Sequence, residues 1–502
     1  MKFEFVDNTA IDGSARRRIR SHVATGRNAG KKLSRPSRRK ALESRATRAQ
    51  SPRATAALVQ AKGSQPNASV TFLALLSPYT LSALPAHLQQ HGGYGGLALL
   101  QGAVSFLGGI RHAPELDVAL DYSSEPRSKW VQPLFLDEAY FHGAMAVFFA
   151  ACPSPAAFSY TSSGAQDNLS ARMRHLCLAL RLVNTRLSGT GAISDETVIV
   201  VLVLGMYERQ QGEYHRGLVH LGGLQRMVQM RGGVGEFIKA RPDLSRKIFR
   251  SDVEYCLHLG APTRFTLDEV EPLLSLKALT PCTRRIPPDF PAMLPPTLAT
   301  LLEDATQAAH LLNTTTLSPS PKKLNSSAVH GTFILLGYRV QALSPLLAGT
   351  TGAGRPAIAG GPSASVTEQV VCLGLAAFVG SFLWGGGCGG RKMEVPVRWV
   401  GDAAREIITC ARPMGEEVHV GGGGGEERWG REAVLWMLFV GDAAGVFDIG
   451  GVDGWVIPRT AEVVRCLGLC EWESVGRVLG RFPWVDALHA RKGRAHWERC
   501  MK

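Results

Sequence analysis

The most constraining stretch of this 502-residue chain is a pair of helices predicted over residues 197–237. Residues 198–204 are apolar on every side, so the first helix is predicted to be buried, with Ser194 or Asp195 capping its start. In the second helix, apolar side chains recur at spacings of three and four, at Leu218, Leu221, Leu224 and Val228. Arg231 is followed by two glycines, which commonly end a helix in a left-handed conformation. The sequence therefore predicts a helical hairpin with one buried and one amphipathic member.

Helical periodicity continues through most of the chain. Further helices are predicted at 136–151, 168–187, 244–259, 332–347, 367–384, 432–440 and 463–479. Stretches rich in proline, glycine and serine predict loops at 287–296, 317–327, 349–365 and around the glycine run 421–425. Alternating Val/Ile-rich strands with hairpin turns are not found. The predicted fold class is all-α: a multi-helix, bundle-like domain preceded by a disordered basic N-terminal tail.

Positive charge is concentrated near the start of the chain. Residues 14–53 contain 14 Lys or Arg and one acid, Glu43, which is +13 of the chain's total of +14. Too few apolar residues occur among them to bury a core, so residues 14–66 are predicted to be disordered. Basic clusters of this kind are typical of nuclear localisation signals and of phosphate contacts with nucleic acid. The residues predicted for these roles are Arg16, Arg17, Arg18, Arg20, Lys31, Lys32, Arg38, Arg39 and Lys40.

Two other interpretations of this tail stay open. It can be a solvated basic linker with no receptor. An Arg- and Ser-rich start is also typical of a mitochondrial transit peptide, against which stand the acids Glu4, Asp7 and Asp12.

The block 215–237, with HLGGLQRMVQMRGG (220–233) at its centre, resembles the regulatory region of fungal transcription factors, whose DNA-binding half is normally a binuclear zinc cluster. In that family a His-x-x-Gly-Leu-x-x-(Leu/Met)-(Val/Ile) helix runs into Arg-Gly-Gly. The matching residues are His220, Gly223, Leu224, Met227, Val228, Arg231, Gly232 and Gly233. Blocks at 130–151, 179–187, 244–259 and 467–489 look similar, so the resemblance covers residues 130–489 with gaps. It implies a helical regulatory or interaction domain.

This resemblance and the composition together suggest five segments. They are a short leader (1–13), the basic tail (14–66), a lead-in segment (67–129), the helical domain (130–489) and a C-terminal tail (490–502). Insertions into the helical domain are predicted near 285–330, 349–365 and 411–428.

The zinc cluster of the resembling family is not found in this sequence. Such a cluster needs six cysteines in a repeated, compact Cys-x2-Cys-x6-Cys pattern beside a basic stretch. The first of the ten cysteines is Cys152, and no Cys-x2-Cys pair occurs. Cys466 and Cys470, with His489, His496 and Cys500, offer a possible metal set, but the two cysteines are interpreted instead as core cysteines on an apolar helix. His87 and His91 lack the glutamate of an HExxH motif. We predict no metal and no cofactor.

Catalytic motifs are also missing from the sequence. P-loop and Gly-x-Ser-x-Gly patterns do not occur, and the glycines at 232–235 follow a helix instead of a strand. His215, His220 and Glu213 offer an acid/base set, although hinge and cap roles are commoner for such residues in a helical hairpin.

The sequence therefore predicts a nuclear transcription regulator that is not an enzyme. Its predicted partners are a nuclear import receptor, other transcription regulators and, through the tail, DNA bound without sequence preference; no membrane is predicted. The alternatives are a helical enzyme or small-molecule binder without a recognisable motif, and a degenerate gene product.

Overall fold

The computed structural model describes residues 100–104, 106–107, 114–123, 128–151, 164–272, 274, 294–318, 322–343, 365–383, 398–410, 424–447 and 454–502. Within these ranges the chain is 80% helical and forms 17 α-helices. The all-α prediction is therefore confirmed. The leader, the basic tail and the insertion predicted at 349–365 lie outside the described residues, apart from Ser365.

Residues 114–187 contain two long antiparallel helices preceded by short elements. The short elements are the 3-10 helix Pro114–Leu116, strand β1 (Leu120–Asp121), and helices α1 (Ser128–Val131) and α2 (Pro133–Leu136). The two long helices are α3 (Glu138–Ala151) and α4 (Gly164–Leu187). Helix α3 is buried over almost its whole length and packs against α4. Asp137 caps α3 by accepting from the Tyr140 amide at 2.9 Å. Arg186, at the far end of α4, pairs with both oxygens of Asp137 at 2.7 and 2.9 Å. The two helix ends are thus joined.

The predicted hairpin is present as α5 (Asp195–Gln210) and α6 (Tyr214–Met230). Ser194, of the two candidate caps, accepts from the Thr197 amide at 3.3 Å. Residues Thr197–Gly205 of α5 are buried. Helices α7 (Gly233–Ala240), α8 (Pro242–Leu259) and α9 (Leu267–Val270) follow. Helix α5 packs on α3, α4, α6 and α8, so it lies at the centre of this part of the fold.

The next three helices are α10 (Pro296–Leu317), α11 (Ser326–Ala342) and α12 (Val366–Leu383). Strand β2 (Leu324–Asn325) precedes α11 and pairs in parallel with β1, with Leu120 opposite Leu324. The ring of Phe333 in α11 stacks on that of Phe382 in α12 at 3.5 Å. Helix α11 also packs on α8, so the two parts of the helical body share one core.

The last five helices are α13 (Arg398–Cys410), α14 (Gly424–Ala444), α15 (Val456–Cys466), α16 (Trp472–Leu479) and α17 (Asp486–Cys500). Trp436 of α14 is fully buried and donates from its indole nitrogen to the Pro483 carbonyl at 2.9 Å. His489 of α17 accepts from the Val485 amide at 3.0 Å and bonds Ser381 of α12 at 3.0 Å. These buried hydrogen bonds fasten the C-terminal helices to the core.

Three predicted segments need correction. The insertion predicted near 285–330 contains the core helix α10, in which Leu298, Leu302 and Ala305 are fully buried. The proline cluster before it suggested a loop, but Pro296 lies in the first helical turn, where proline is well tolerated. The predicted C-terminal tail 490–502 is mostly helix, because α17 runs to Cys500 and buries His496 and Trp497. The end of the insertion predicted near 411–428 belongs to α14, which begins at Gly424, and residues 411–423 lie outside the described residues.

Helix α12 is long and apolar. Its 18 residues have a mean hydropathy of 1.7, and 78% of them are buried inside the protein. By length and composition alone such a helix can cross a membrane, but a buried core helix has the same composition.

Candidate functional site in the hairpin and its surroundings

Arg231, Gly232 and Gly233, the end of the motif that resembles fungal transcription factors, lie where the end of α6 meets the start of α5. Arg231 donates to Asp195, the first residue of α5, at 2.6 Å, and Arg241 pairs with the other oxygen of Asp195. The Arg231 guanidinium also lies 4.7 Å from the centre of the Phe237 ring in α7. A carboxylate at a helix start is favoured by the helix dipole, and it gains two cationic partners here. The end of α6 is thus held on the start of α5.

Gly232 and Gly233 turn the chain from α6 into α7. Gly232 has a φ of +96° and Gly233 a φ of +89°, which side chains with a Cβ rarely adopt. Leu224, another motif residue, is 2% exposed and packs in the core. These motif residues therefore serve the geometry of the fold.

His220, the first motif residue, faces α5 and not solvent. Its Nε2 lies 4.0 Å from the Glu208 carboxylate, and both side chains are mostly buried. His215 is exposed, and Glu213 lies 3.8 Å from Arg216. His215 and His220 point to different sides of α6, so the structure does not bring together the acid/base set predicted from the sequence.

A charged network lies beneath the hairpin and joins three helices. Glu254 of α8, whose side chain is 1% exposed, pairs with Arg209 at the end of α5 and with Arg250 at 2.7 Å. Arg250 also donates to the Leu383 carbonyl, at the end of α12. Burial and the nearby Arg209 lower the pKa of Arg250 to about 9. We call Arg209, Arg250 and Glu254 the charged core network; it contains two cations and one anion.

Aromatic residues surround the charged core network. His258 of α8 stacks on Tyr214 of α6 at 4.2 Å, and burial, together with Arg209, lowers the pKa of His258 to about 3. Tyr255 donates to the Gly205 carbonyl of α5, and burial raises the pKa of its hydroxyl. A Cβ on Gly217 would lie 2.6 Å from the Tyr255 hydroxyl oxygen, so glycine is required there for α6 to approach α8. His258 is thus held neutral at a tightly packed contact.

The side of α6 that faces away from α8 and the charged core network is mostly exposed to solvent. We call one helical stripe the open face. It consists of six exposed residues, His215, Arg216, Val219, Arg226, Gln229 and Met230, and the half-buried glycines Gly222 and Gly223 between them. Val219 is 54% exposed and Met230 is 61% exposed. A Cβ added at Gly222 or Gly223 would meet nothing within 4 Å. Helix α6 contains no acidic residue, so the charges of the open face are all positive.

The described residues contain no set of side chains suited to binding a metal ion. No group of three or more His, Cys, Asp or Glu side chains there could hold a metal ion. Cys466 and Cys470 are exposed, so the prediction that they are core cysteines is wrong, whereas His489 and His496 are buried. His496 lies 3.0 Å from both Asp442 and Thr460, so its two ring nitrogens face protein groups. Within this part of the chain, the geometry favours a structural role for these histidines.

Residues 114–318 match the fungal specific transcription factor domain. The match spans α1 to α10 and includes the hairpin, and it confirms the resemblance predicted from residues 220–233. The resemblance seen at 467–489 lies beyond the match. Comparisons with curated proteins and with solved structures returned no match. A fungal specific transcription factor domain indicates a transcription regulator, and its family is not a family of enzymes.

The sequence did not reveal every residue that organises this domain. Glu254 and Arg250 are four residues apart in a helix, a spacing that is also typical of exposed ion pairs. Their burial depends on α5 and α12, which lie far away in the sequence. The nine tail residues from Arg16 to Lys40 predicted for nuclear import lie outside the described residues.

Proposed function

We propose that this protein is a nuclear transcription regulator that reaches its target genes through its helical domain and not through a zinc cluster of its own. The match of residues 114–318 to the fungal specific transcription factor domain carries this proposal. The matched segment includes the hairpin, which has both a fixed core contact and an exposed face. Such a domain suits contacts with other regulators.

The cysteine pattern supports the second half of the proposal. No Cys-x2-Cys pair occurs among the 502 residues, and the first cysteine, Cys152, is about 100 residues beyond the basic stretch. A binuclear cluster therefore has no ligands in this sequence. We propose that promoter choice comes from protein partners, and that the domain has no catalytic role.

The basic tail supplies the nuclear address in this proposal. Its +13 charge within residues 14–53 suits recognition by a nuclear import receptor. Clustered cations are the feature that such receptors bind, so the adjacent pairs and triplets matter more than the isolated residues.

Localisation of a tagged full-length protein in fungal cells tests this address. Substituting alanine for the eight clustered residues should leave the protein in the cytosol; they are Arg16, Arg17, Arg18, Lys31, Lys32, Arg38, Arg39 and Lys40. A control variant replaces the isolated residues Arg27, Arg35, Arg45, Arg48 and Arg53, and should still enter nuclei. Nuclear accumulation of the clustered variant at the parent level would refute the proposed address.

A further inference from the structure

The open face of α6 combines three properties that point to one kind of partner. It is positively charged, it exposes large apolar side chains at Val219 and Met230, and it has a notch at Gly222 and Gly223. We propose that the open face binds an amphipathic helix with acidic side chains, supplied by another protein. This inference goes beyond the proposed function and does not depend on it.

The glycines are unexpected where they stand. Glycine inside a helix destabilises a protein relative to alanine, because its backbone loses more conformational freedom on folding. Gly217 has a structural reason, because the Tyr255 ring packs against it. Gly222 and Gly223 have none among the described residues, since a Cβ at either position would meet nothing within 4 Å. A notch without side chains lets the backbone of a second helix come close, as small residues do at other helix contacts.

The charges select the chemistry of that second helix. Arg216 and Arg226 are ten residues apart, which is about 15 Å along a helix. Arg216 is 3.8 Å from the exposed Glu213, a contact that solvent weakens. No ion pair of Arg226 with a described residue is found. Carboxylates on a partner helix would meet these two guanidiniums at either side of the notch.

A second copy of this chain fits the open face less well. Helix α6 carries no carboxylate, so two copies packed face to face would place arginines against arginines. Nucleic acid also fits less well. Val219 and Met230 are exposed between and beside the arginines, and phosphate groups gain nothing from apolar side chains. Val219 and Met230 are eleven residues apart, about 16 Å along the helix, so apolar residues about three turns apart on a partner helix would bury both.

Selection of peptides tests the proposal with the purified full-length chain. A display library of random 18-residue peptides is the probe, and enriched sequences are read by sequencing. We expect the enriched peptides to carry Asp or Glu on a helix whose other face has apolar residues at positions i, i+3, i+4 and i+7. Enrichment of no peptide above selection without the protein would overturn the proposal, as would enrichment of basic or uncharged sequences.

Matched variants locate the binding surface. For the most enriched peptide, fluorescence anisotropy should show affinity lowered at least about tenfold by Arg226→Glu and by Gly222→Leu, which fills the notch. Arg216→Glu should act in the same direction. Lys239→Glu, an equal charge change on the exposed side of α7, should alter affinity less than about twofold. Circular dichroism and the thermal unfolding midpoint check that each variant is folded.

The remaining outcomes each overturn the proposal. If the peptide binds equally well to the variants Arg226→Glu, Arg216→Glu and Gly222→Leu, its binding site lies elsewhere on the chain. If the full chain sediments as a dimer and Gly222→Leu dissociates that dimer, the open face binds a second copy of the chain. If duplex DNA displaces the peptide and Arg226→Glu weakens binding of that DNA, the open face is a nucleic-acid surface. Nuclear entry is scored separately in cells, so failure here leaves the proposed nuclear address untouched.

Discussion

His258 shows how burial of one side chain makes stability depend on pH. The pKa of His258 is about 3 in the folded protein, against about 6.5 in an unfolded chain. Between these values the unfolded chain binds a proton that the folded protein does not, so the free energy of unfolding rises with pH. His258→Phe keeps a ring beside Tyr214 and removes the titration. The slope of unfolding free energy against pH should become shallower, by up to about 1.4 kcal/mol per pH unit.

Urea unfolding at several pH values between about 4 and 6 measures this slope. His258→Gln removes the same titration without an aromatic ring, so it separates loss of stacking from loss of proton binding. Both variants should share the shallower slope. A variant slope equal to the parent slope would show that His258 is protonated in the folded protein.

Two glycines of one helix should respond to alanine in opposite ways. Gly217→Ala places a methyl group against the Tyr255 ring, and overpacking of this kind destabilises by about 1 to 3 kcal/mol. Gly222→Ala enters open space and should stabilise by about 1 kcal/mol through helix propensity. Urea midpoints compare the two variants, and shifts in the same direction would contradict the described packing.

Sequence patterns predicted those residues whose role is local. Gly232 and Gly233 end a helix through their own backbone conformation, and Leu224 follows the helical period, so all three were identified before the structure. Asp195 was predicted as a possible cap, but the structure assigns the cap to Ser194 and pairs Asp195 with Arg231 and Arg241. Partners of that kind lie more than 35 residues away, and no local pattern indicates them.

At the scale of elements, the charged core network should be essential to stability. Glu254→Gln removes the carboxylate that pairs with both Arg209 and Arg250. Removing one partner of a buried charged set destabilises by about 3 to 5 kcal/mol, because the remaining charges stay desolvated. Glu236→Gln is the matched control, since the Glu236 pair with Lys239 is exposed, and it should change stability by less than about 0.5 kcal/mol.

Chemical denaturation of both variants measures this difference. Equal stability of the two variants would mean that the charged core network is solvated in solution.

Elements with a strong helical period were predicted well, and those beside proline or in a polar segment were not. Helices α5, α6 and α8 closely match their predicted ranges. Helix α10 was missed because prolines precede it, and its burial comes from contacts with α11 and α12. Helix α17 is polar in sequence, yet its buried His489 and His496 bond Ser381 of α12 and Thr460 of α15. Tertiary contacts decide both helices, so local pattern was insufficient.

For the whole molecule, we expect DNA binding to come from the basic tail alone. If about six of its cations contact phosphates, the logarithm of affinity should fall against the logarithm of salt with a slope near about −5. The fragment 67–502, which coincides with one compact unit, should lose binding altogether. Titrations against random and selected duplexes measure both. Sequence-specific binding by the fragment would mean that the helical body reads DNA.

Genome-wide chromatin association of the tagged protein tests the central claim most directly. The chain should be enriched at discrete promoters, and it should remain so when a heterologous nuclear signal replaces residues 14–66, because the helical domain is proposed to reach promoters through partner regulators. The variant Glu254→Gln, which disrupts the core of that domain, should lose the enrichment. A nuclear protein spread evenly over the genome, or one whose enrichment depends on residues 14–66 for more than nuclear entry, would contradict the account.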